Sequence, residues 1–237
     1  MLVSIFRASS TFLEAIILLA AYAIVLLTAI ILHELGHGYV AYLNGDETAK
    51  MSGRLSLNPA KHLSLVGTIM MLLVGFGWAK PVPIDPRNFR EYKKGMILTS
   101  LGGVIVNLSL AFINSVGLAL ILKFAPSSFT SRNFEYYLVE FFLYLFYLGM
   151  QVNVLLMVFN LLPIYPLDGF RIVETLADPD NRFVNFMYRY GNWVMIAFIG
   201  ISFVSSSVFG TSLFGMVNDL AQLIFNKIWG AILGVSF

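Results

Sequence analysis

The stretch Ile30-Ile31-Leu32-His33-Glu34-Leu35-Gly36-His37-Gly38 decides how this chain is read. It closes an uncharged run of 18 residues, Ala15 to Leu32, about the minimum length for a helix that spans a bilayer. Two imidazoles and a carboxylate therefore stand where lipid-facing side chains are expected. Ionisable groups inside an apolar helix are costly and mark function. His33 and His37 are four residues apart and share one helix face. Two imidazoles so placed can bind one Zn2+ ion, with Glu34 beside the first ligand in reach of a water on the metal. Satisfied core histidines would explain His33 and His37 but not Glu34.

Working outward, the helix pattern continues to Asn44-Gly45, a C-cap pair, which places the motif roughly 12 Å before the helix end at 1.5 Å per residue. The whole chain fits this setting. Of its 237 residues 58% are hydrophobic and 12% charged, and the mean hydropathy is +0.81. Soluble domains carry about 45–50% apolar and about 25% charged residues. The expected class is an all-α integral membrane protein, a polytopic bundle of about four to six membrane helices. The net charge of +2 gives no reason to expect nucleic acid, and the absence of cysteine excludes disulfides and thiolate metal sites. The N-terminal apolar run continues into the motif without a small-residue cleavage site, so it reads as a retained helix. One membrane domain over 1–237 is expected, with a core over 12–175 and C-terminal membrane helices over 190–237.

Further spans are expected at Gly95–Leu122, Tyr136–Leu162, Trp193–Phe209 and Leu213–Trp229. The last is rather polar, with Asn218, Asp219, Gln222, Asn226 and Lys227, and could be peripheral instead. Ser64–Trp78 is apolar but short and rich in glycine. The region near 64–83 is expected to re-enter the membrane or form a short β-like segment rather than span. Charge parity supports this. Loops 44–63 and 79–94 hold eight of the fifteen Lys and Arg, and loop 164–189 holds three more. The positive-inside rule puts both regions in the cytoplasm, which requires that 64–78 does not cross.

Catalytic zinc takes three protein ligands and keeps one position open. His62, in the polar loop Leu57-Asn58-Pro59-Ala60-Lys61-His62, is one candidate for the third. Asp168 is the better one. It sits in Asn160-Leu161-Leu162-Pro163-Ile164-Tyr165-Pro166-Leu167-Asp168-Gly169, where two prolines break a spanning helix and return the chain to the side of His37. The alternative role for Asp168 is a cap on the helix that follows.

These two motifs in this order resemble the site-2 protease family of intramembrane zinc metalloproteases, in which HExxH is paired with a downstream NxxPxxxLDG. Asn160, Pro163, Leu167, Asp168 and Gly169 match every specified position of the second motif. Gly53–His62 and Val74–Arg90 resemble the loop and re-entrant segment of a compact subgroup without a PDZ domain. The resemblance runs from about Leu32 to Arg171. It departs at Val104, where the family's GPxxN has proline and this chain reads Gly103-Val104-Ile105-Val106-Asn107, and at Ser64-Leu65, where similar sequences have Asp-Pro.

The resemblance implies one Zn2+ held by His33, His37 and Asp168, and Glu34 as the base that activates a zinc-bound water for attack on a peptide bond. The substrate would be a transmembrane helix, cleaved within or near the membrane after local unwinding. Gly75 and Gly77, in the re-entrant stretch, would hold the unwound strand by strand addition. Asn107 and Asn160 could contact the oxyanion or substrate, or clamp helices together, and His62 could serve the site or the loop. The expected location is a bacterial inner membrane with the site toward the cytoplasmic face. The partners are the bilayer and the substrate, with a homo-oligomer or a regulatory membrane protein left open. The rival reading is a membrane metal-binding protein or transporter. That class places ionisable residues on several helices or in paired repeats, whereas here they cluster at HExxH and one Asp.

Overall fold

The computed structural model describes the chain apart from residues 1–10, 65, 68–78, 126–131, 210–212 and 235–237. Helix α1 is Phe12–Leu43. It starts where a capping box can form: Thr11 Oγ1 accepts from the Glu14 N–H, and Glu14 Oε2 accepts from the Thr11 N–H at 3.0 Å. It ends at Asn44 and Gly45, whose φ of +109° suits glycine. Two short helices, α2 (Thr48–Met51) and α3 (Pro59–His62), fold the following loop. Then come α4 (Tyr92–Phe124), α5 (Phe134–Asn160), α6 (Asp168–Leu176), α7 (Arg182–Phe209) and α8 (Leu213–Leu233).

α1, α4 and α5 pack on one another and form the centre of the bundle. These three are the helices, among the described residues, that are long and apolar enough to cross a membrane. Their outward faces carry exposed apolar side chains, among them Ile16 and Ile24 on α1, Ile105 and Phe112 on α4, and Leu138 on α5. In water these would form extended apolar patches; in a bilayer they are solvated. Where α1 crosses α4 the backbones touch. A Cβ on Gly36 would lie 2.7 Å from the Gly102 carbonyl oxygen, and a Cβ on Gly102 would lie 2.7 Å from that of Gly36. Paired small residues permit this approach, and it presses the His33–His37 turn of α1 against α4.

The remaining helices refine the expected map. The region 164–189 is not a loop throughout: α6 occupies much of it, and α7 begins at Arg182, well before the apolar run. Asn181 explains that start, because its Oδ1 accepts from the N–H of Phe183 at 3.0 Å and of Val184 at 3.2 Å. α8 lays Ala221, Phe225 and Trp229 into the bundle beside Met150, Val154 and Ala111. Two of its polar contacts face inward as well: Gln222 Nε2 donates to the Tyr147 hydroxyl, and Trp229 Nε1 donates to Ser115 Oγ.

Most of the expected re-entrant segment, including Gly75 and Gly77, lies outside the described residues. At its flanks Leu63 and Ala79 form an isolated antiparallel bridge, and the Lys80 N–H donates to the His62 carbonyl at 2.7 Å. The residues that flank the 64–78 stretch, Leu63 and Ala79, therefore lie side by side. Among the described residues this bridge is the whole of the β structure.

Candidate metal centre

The site is built on three helices. His33 and His37 project from α1, six residues or more before its last residue, Leu43. α5 stops at Asn160, and the chain turns through Pro163 and Pro166 into α6, whose first residue is Asp168. The turn carries Asp168 back to the two imidazoles. One ligand atom from each of His33, His37 and Asp168 lies within 4.8 Å of the other two. The Nε2 atoms are 3.0 Å apart, and Asp168 Oδ2 is 3.3 Å from His33 Nε2 and 3.2 Å from His37 Nε2. The alternative role of Asp168 as a helix cap is not used, because Leu167 stands at the cap position.

Hydrogen bonds at the far side of each ring fix what these atoms are. His33 Nδ1–H donates to Asn107 Oδ1 at 2.9 Å, and His37 Nδ1–H donates to the Thr99 carbonyl at 2.7 Å. In a neutral imidazole the other nitrogen then carries a lone pair. Two bare Nε2 atoms and a carboxylate oxygen therefore face one point, and Asp168 Oδ2 is buried with no donor of its own. Three lone pairs so close repel one another unless a cation lies between them. Zinc–ligand bonds of about 2.0–2.1 Å, arranged tetrahedrally, give edges of about 3.3 Å; the three separations match that shape. The residues thus fit a zinc ion.

α4 supplies the support. Thr99, Gly103 and Asn107 recur every four residues and share the face that meets α1. A Cβ on Gly103 would lie 2.6 Å from both His33 Cε1 and His37 Nε2, so only glycine leaves room for the rings. Glu34, next to His33 on α1, is held from a different segment. Its Oε2 accepts from the Val82 N–H at 2.8 Å. Val82 stands between Pro81 and Pro83, which have no N–H, so one main-chain donor holds the carboxylate. Arg54 steadies that segment by donating from Nη2 to the carbonyls of Lys80 at 2.6 Å and Pro81 at 3.1 Å.

The other expected residues are placed apart from the converging group. His62 is fully buried in the loop, with its Nε2 donating to the Ser56 carbonyl at 2.7 Å. Asn160 Nδ2 donates to the Leu156 carbonyl of its own helix. Asn107 does adjoin the site, through His33. Thr99 and Val82 act through backbone atoms, which no residue type announces. Gly103 could have been found from its i, i+4 relation to Asn107.

A family model described as "Peptidase family M50" matches residues 21–201. The chain is 44% identical over 159 residues to "Putative zinc metalloprotease YwhC" of Bacillus subtilis (strain 168), an alignment covering 67% of this chain and 70% of that protein. No solved structure matches the chain. With more than half of its length matched, the chain belongs to peptidase family M50, the site-2 protease family.

Proposed function

We propose that the protein is an intramembrane zinc endopeptidase that cleaves transmembrane-helix substrates. His33, His37 and Asp168 hold the metal, and Glu34 is the catalytic acid–base. The observation that carries this reading is the convergence of three lone pairs on one point, buried at the end of an apolar helix, with Glu34 on the next residue. A zinc ion held there supplies Lewis-acid polarisation and brings the pKa of a coordinated water toward about 7.

The rest is the work of the chain. Asn107 and the Thr99 carbonyl hold the imidazoles in the tautomer that presents Nε2. The Val82 N–H fixes one carboxylate oxygen of Glu34. The other is free to take a proton from the attacking water and deliver it to the leaving amine. α1, α4 and α5 exclude bulk lipid from the site, and the Pro163–Pro166 turn brings Asp168 in. A transporter would need ionisable residues along a path. Among the described residues a single group of three metal-ligating side chains stands here instead.

The whole chain acts as one membrane-embedded domain, with its partners the bilayer and the substrate helix. Its basic loops support a cytoplasmic-facing site in a bacterial inner membrane. The test is purification in detergent, zinc analysis, and cleavage of a model transmembrane substrate. Glu34→Gln should keep its zinc and lose at least about a hundredfold in turnover, the usual scale of a general base. Equal cleavage by both proteins overturns the mechanism.

A further inference from the structure

Residues 79–84, Ala79-Lys80-Pro81-Val82-Pro83-Ile84, form a strap that runs past the motif end of α1, where the Val82 N–H meets Glu34. Val82 is buried and packs with Leu55 and Ala49 over Gly38. A Cβ on Gly38 would lie 2.8 Å from Leu55 Cδ2, 3.0 Å from Val82 Cγ1 and 3.3 Å from Ala49 Cβ. Three segments therefore meet one residue beyond His37: the motif helix, the loop after it, and the strap. The strap has one usable register at Glu34. Proline has no N–H, so a slip of one residue either way would present Pro81 or Pro83 and leave the carboxylate without its main-chain donor.

Hydrogen bonds hold the strap near its ends. The Lys80 N–H donates to the His62 carbonyl at 2.7 Å, and just beyond the strap the Asp85 N–H donates to Asp46 Oδ2 at 2.8 Å. Beside Val82 the hold comes from a side chain. Arg54 Nη2 donates to the carbonyls of Lys80 at 2.6 Å and Pro81 at 3.1 Å, the two acceptors immediately before the Val82 N–H. Arg54 is itself set in place. Its N–H donates to the Ala49 carbonyl at 2.9 Å. Lys61 Nζ donates at 2.7 Å to the carbonyl of Gly53, whose φ of +61° suits glycine. The planar, fixed donors of a guanidinium suit two neighbouring acceptors better than the rotating ammonium of lysine.

We propose that Arg54 is a positioning residue for the general base: by gripping the Lys80 and Pro81 carbonyls it locks the strap in the register that gives Glu34 the Val82 N–H rather than a proline. The inference rests on the protease reading above. Arg54 touches neither the three converging side chains nor Glu34; it acts on Glu34 through two residues of main chain. Its loss should therefore affect the proton-transfer step and leave metal and substrate binding in place. An interaction used only in the transition state lowers kcat and kcat/KM together, with KM unchanged.

The full chain, loaded with zinc in detergent, is given a model transmembrane substrate. Arg54→Ala should keep its zinc and helix content, lower kcat about ten- to hundredfold, the scale of a bond to a charged group, and leave KM within about twofold of the parent. Arg54→Lys, which keeps a cationic donor, should recover part of the loss. In a Glu34→Gln background, followed in single turnover, Arg54→Ala should cost less than about twofold more, because two residues acting through one group are not additive. A further measurement needs no turnover. Pro81–Val82 is the one Pro–Val pair in the sequence, so 13C-carbonyl proline with 15N-valine isolates the Val82 amide by NMR. In the metal-free full chain its hydrogen exchange should quicken about tenfold or more in Arg54→Ala. Parent kcat in Arg54→Ala overturns the inference and leaves the protease reading standing. Loss of zinc, or an equal fall in the Glu34 and Glu34→Gln backgrounds, makes Arg54 part of the general scaffold and also overturns it. Arg54-dependent protection of the Val82 amide in a chain that cleaves no substrate keeps the clamp and removes the protease reading.

Discussion

Replacing Asn107 with Ala should weaken zinc binding by about ten- to hundredfold. Asn107 is fully buried, and its Oδ1 accepts from His33 Nδ1–H at 2.9 Å. Alanine would leave that N–H without an acceptor in a packed helix interface. An unsatisfied buried donor costs about 1–3 kcal/mol, which is roughly 5- to 150-fold in an equilibrium constant. It would also free the ring to place its proton on Nε2, where the metal must bind. Loss of a ligand's outer hydrogen-bond partner typically costs 10–100-fold in metal affinity, so two independent routes give the same range. Asn107→Asp is the control. It keeps an oxygen acceptor for Nδ1–H and removes Asn107 Nδ2, a buried donor with no partner; its zinc affinity should stay within a few fold of the parent.

The assay is competition for zinc between the detergent-purified chain and a chromophoric chelator, with helix content checked by circular dichroism. Zinc affinity within twofold of the parent in Asn107→Ala would refute the reasoning. The same variants separate the two roles open to this residue. If zinc affinity holds but kcat collapses, Asn107 acts on the substrate or oxyanion rather than on His33.

Three further outcomes are expected. Asp168→Ala should lose or weaken metal binding in the same chelator assay while His62→Ala should not, because His62 is bonded within its own loop; the opposite result would reverse the ligand assignment. Gly103→Ala should strongly reduce zinc content, since its Cβ would stand 2.6 Å from both imidazoles, and equal zinc stoichiometry would show that α4 can yield there. Asp46 should act as a pH-dependent clasp on the loop that carries Val82. It is buried, which raises its carboxyl, but bonds from Asn88, Thr48 and the Asp85 N–H outweigh this and hold it below the ordinary carboxylate value. A lowered folded-state pKa means that the ionised clasp is fully present above the unfolded value, near 3.9, and is lost as pH falls through the folded one. At pH 7 Asp46→Ala should speed amide hydrogen exchange at residues 85–89 roughly tenfold or more, the scale of one bond to a charged group. The gap from the parent should close in acid once the pH has fallen through that lowered value; a gap that persists with the carboxyl protonated would remove ionisation from the explanation.

How much of this was legible in the sequence depends on where each interaction resides. The long apolar helices were legible because burial in lipid needs uninterrupted side chains, and those are read directly. The turn from Asn160 to Asp168 was legible because two prolines cannot continue a helix. The early start of α7 was not, because Arg182 and Asn185 look like loop residues until Asn181 is seen to cap them. Nor was the loop anchoring legible: Arg54 holds two main-chain carbonyls and Val82 offers a main-chain N–H to Glu34, so each contact has one partner that no residue type announces. His62 drew attention as a metal-ligating residue type, but the fold buries it within its own loop. Residue type marks which groups can bind a metal; packing decides which of them converge.

That distinction bears on what the motif is. HExxH supplies two nitrogens from one helix, but a bare i, i+4 pair leaves each ring free to turn and to choose its tautomer. Here the rings stand perpendicular, at 90°, with centroids 4.6 Å apart. Their Nε2 atoms meet while their Nδ1 atoms point to partners eight residues apart on α4, about 12 Å along its axis. Divergence at one end of each ring produces convergence at the other. The arrangement needs an acceptor at 99, an acceptor at 107 and no side chain at 103, and it needs α4 close enough for all three to act, which the Gly36–Gly102 contact provides. The face Thr99-x-x-x-Gly103-x-x-x-Asn107 is therefore the counterpart of His33-x-x-x-His37. A change on it that leaves every proposed ligand in place should still disturb the metal as much as a change to a ligand's own rotamer would.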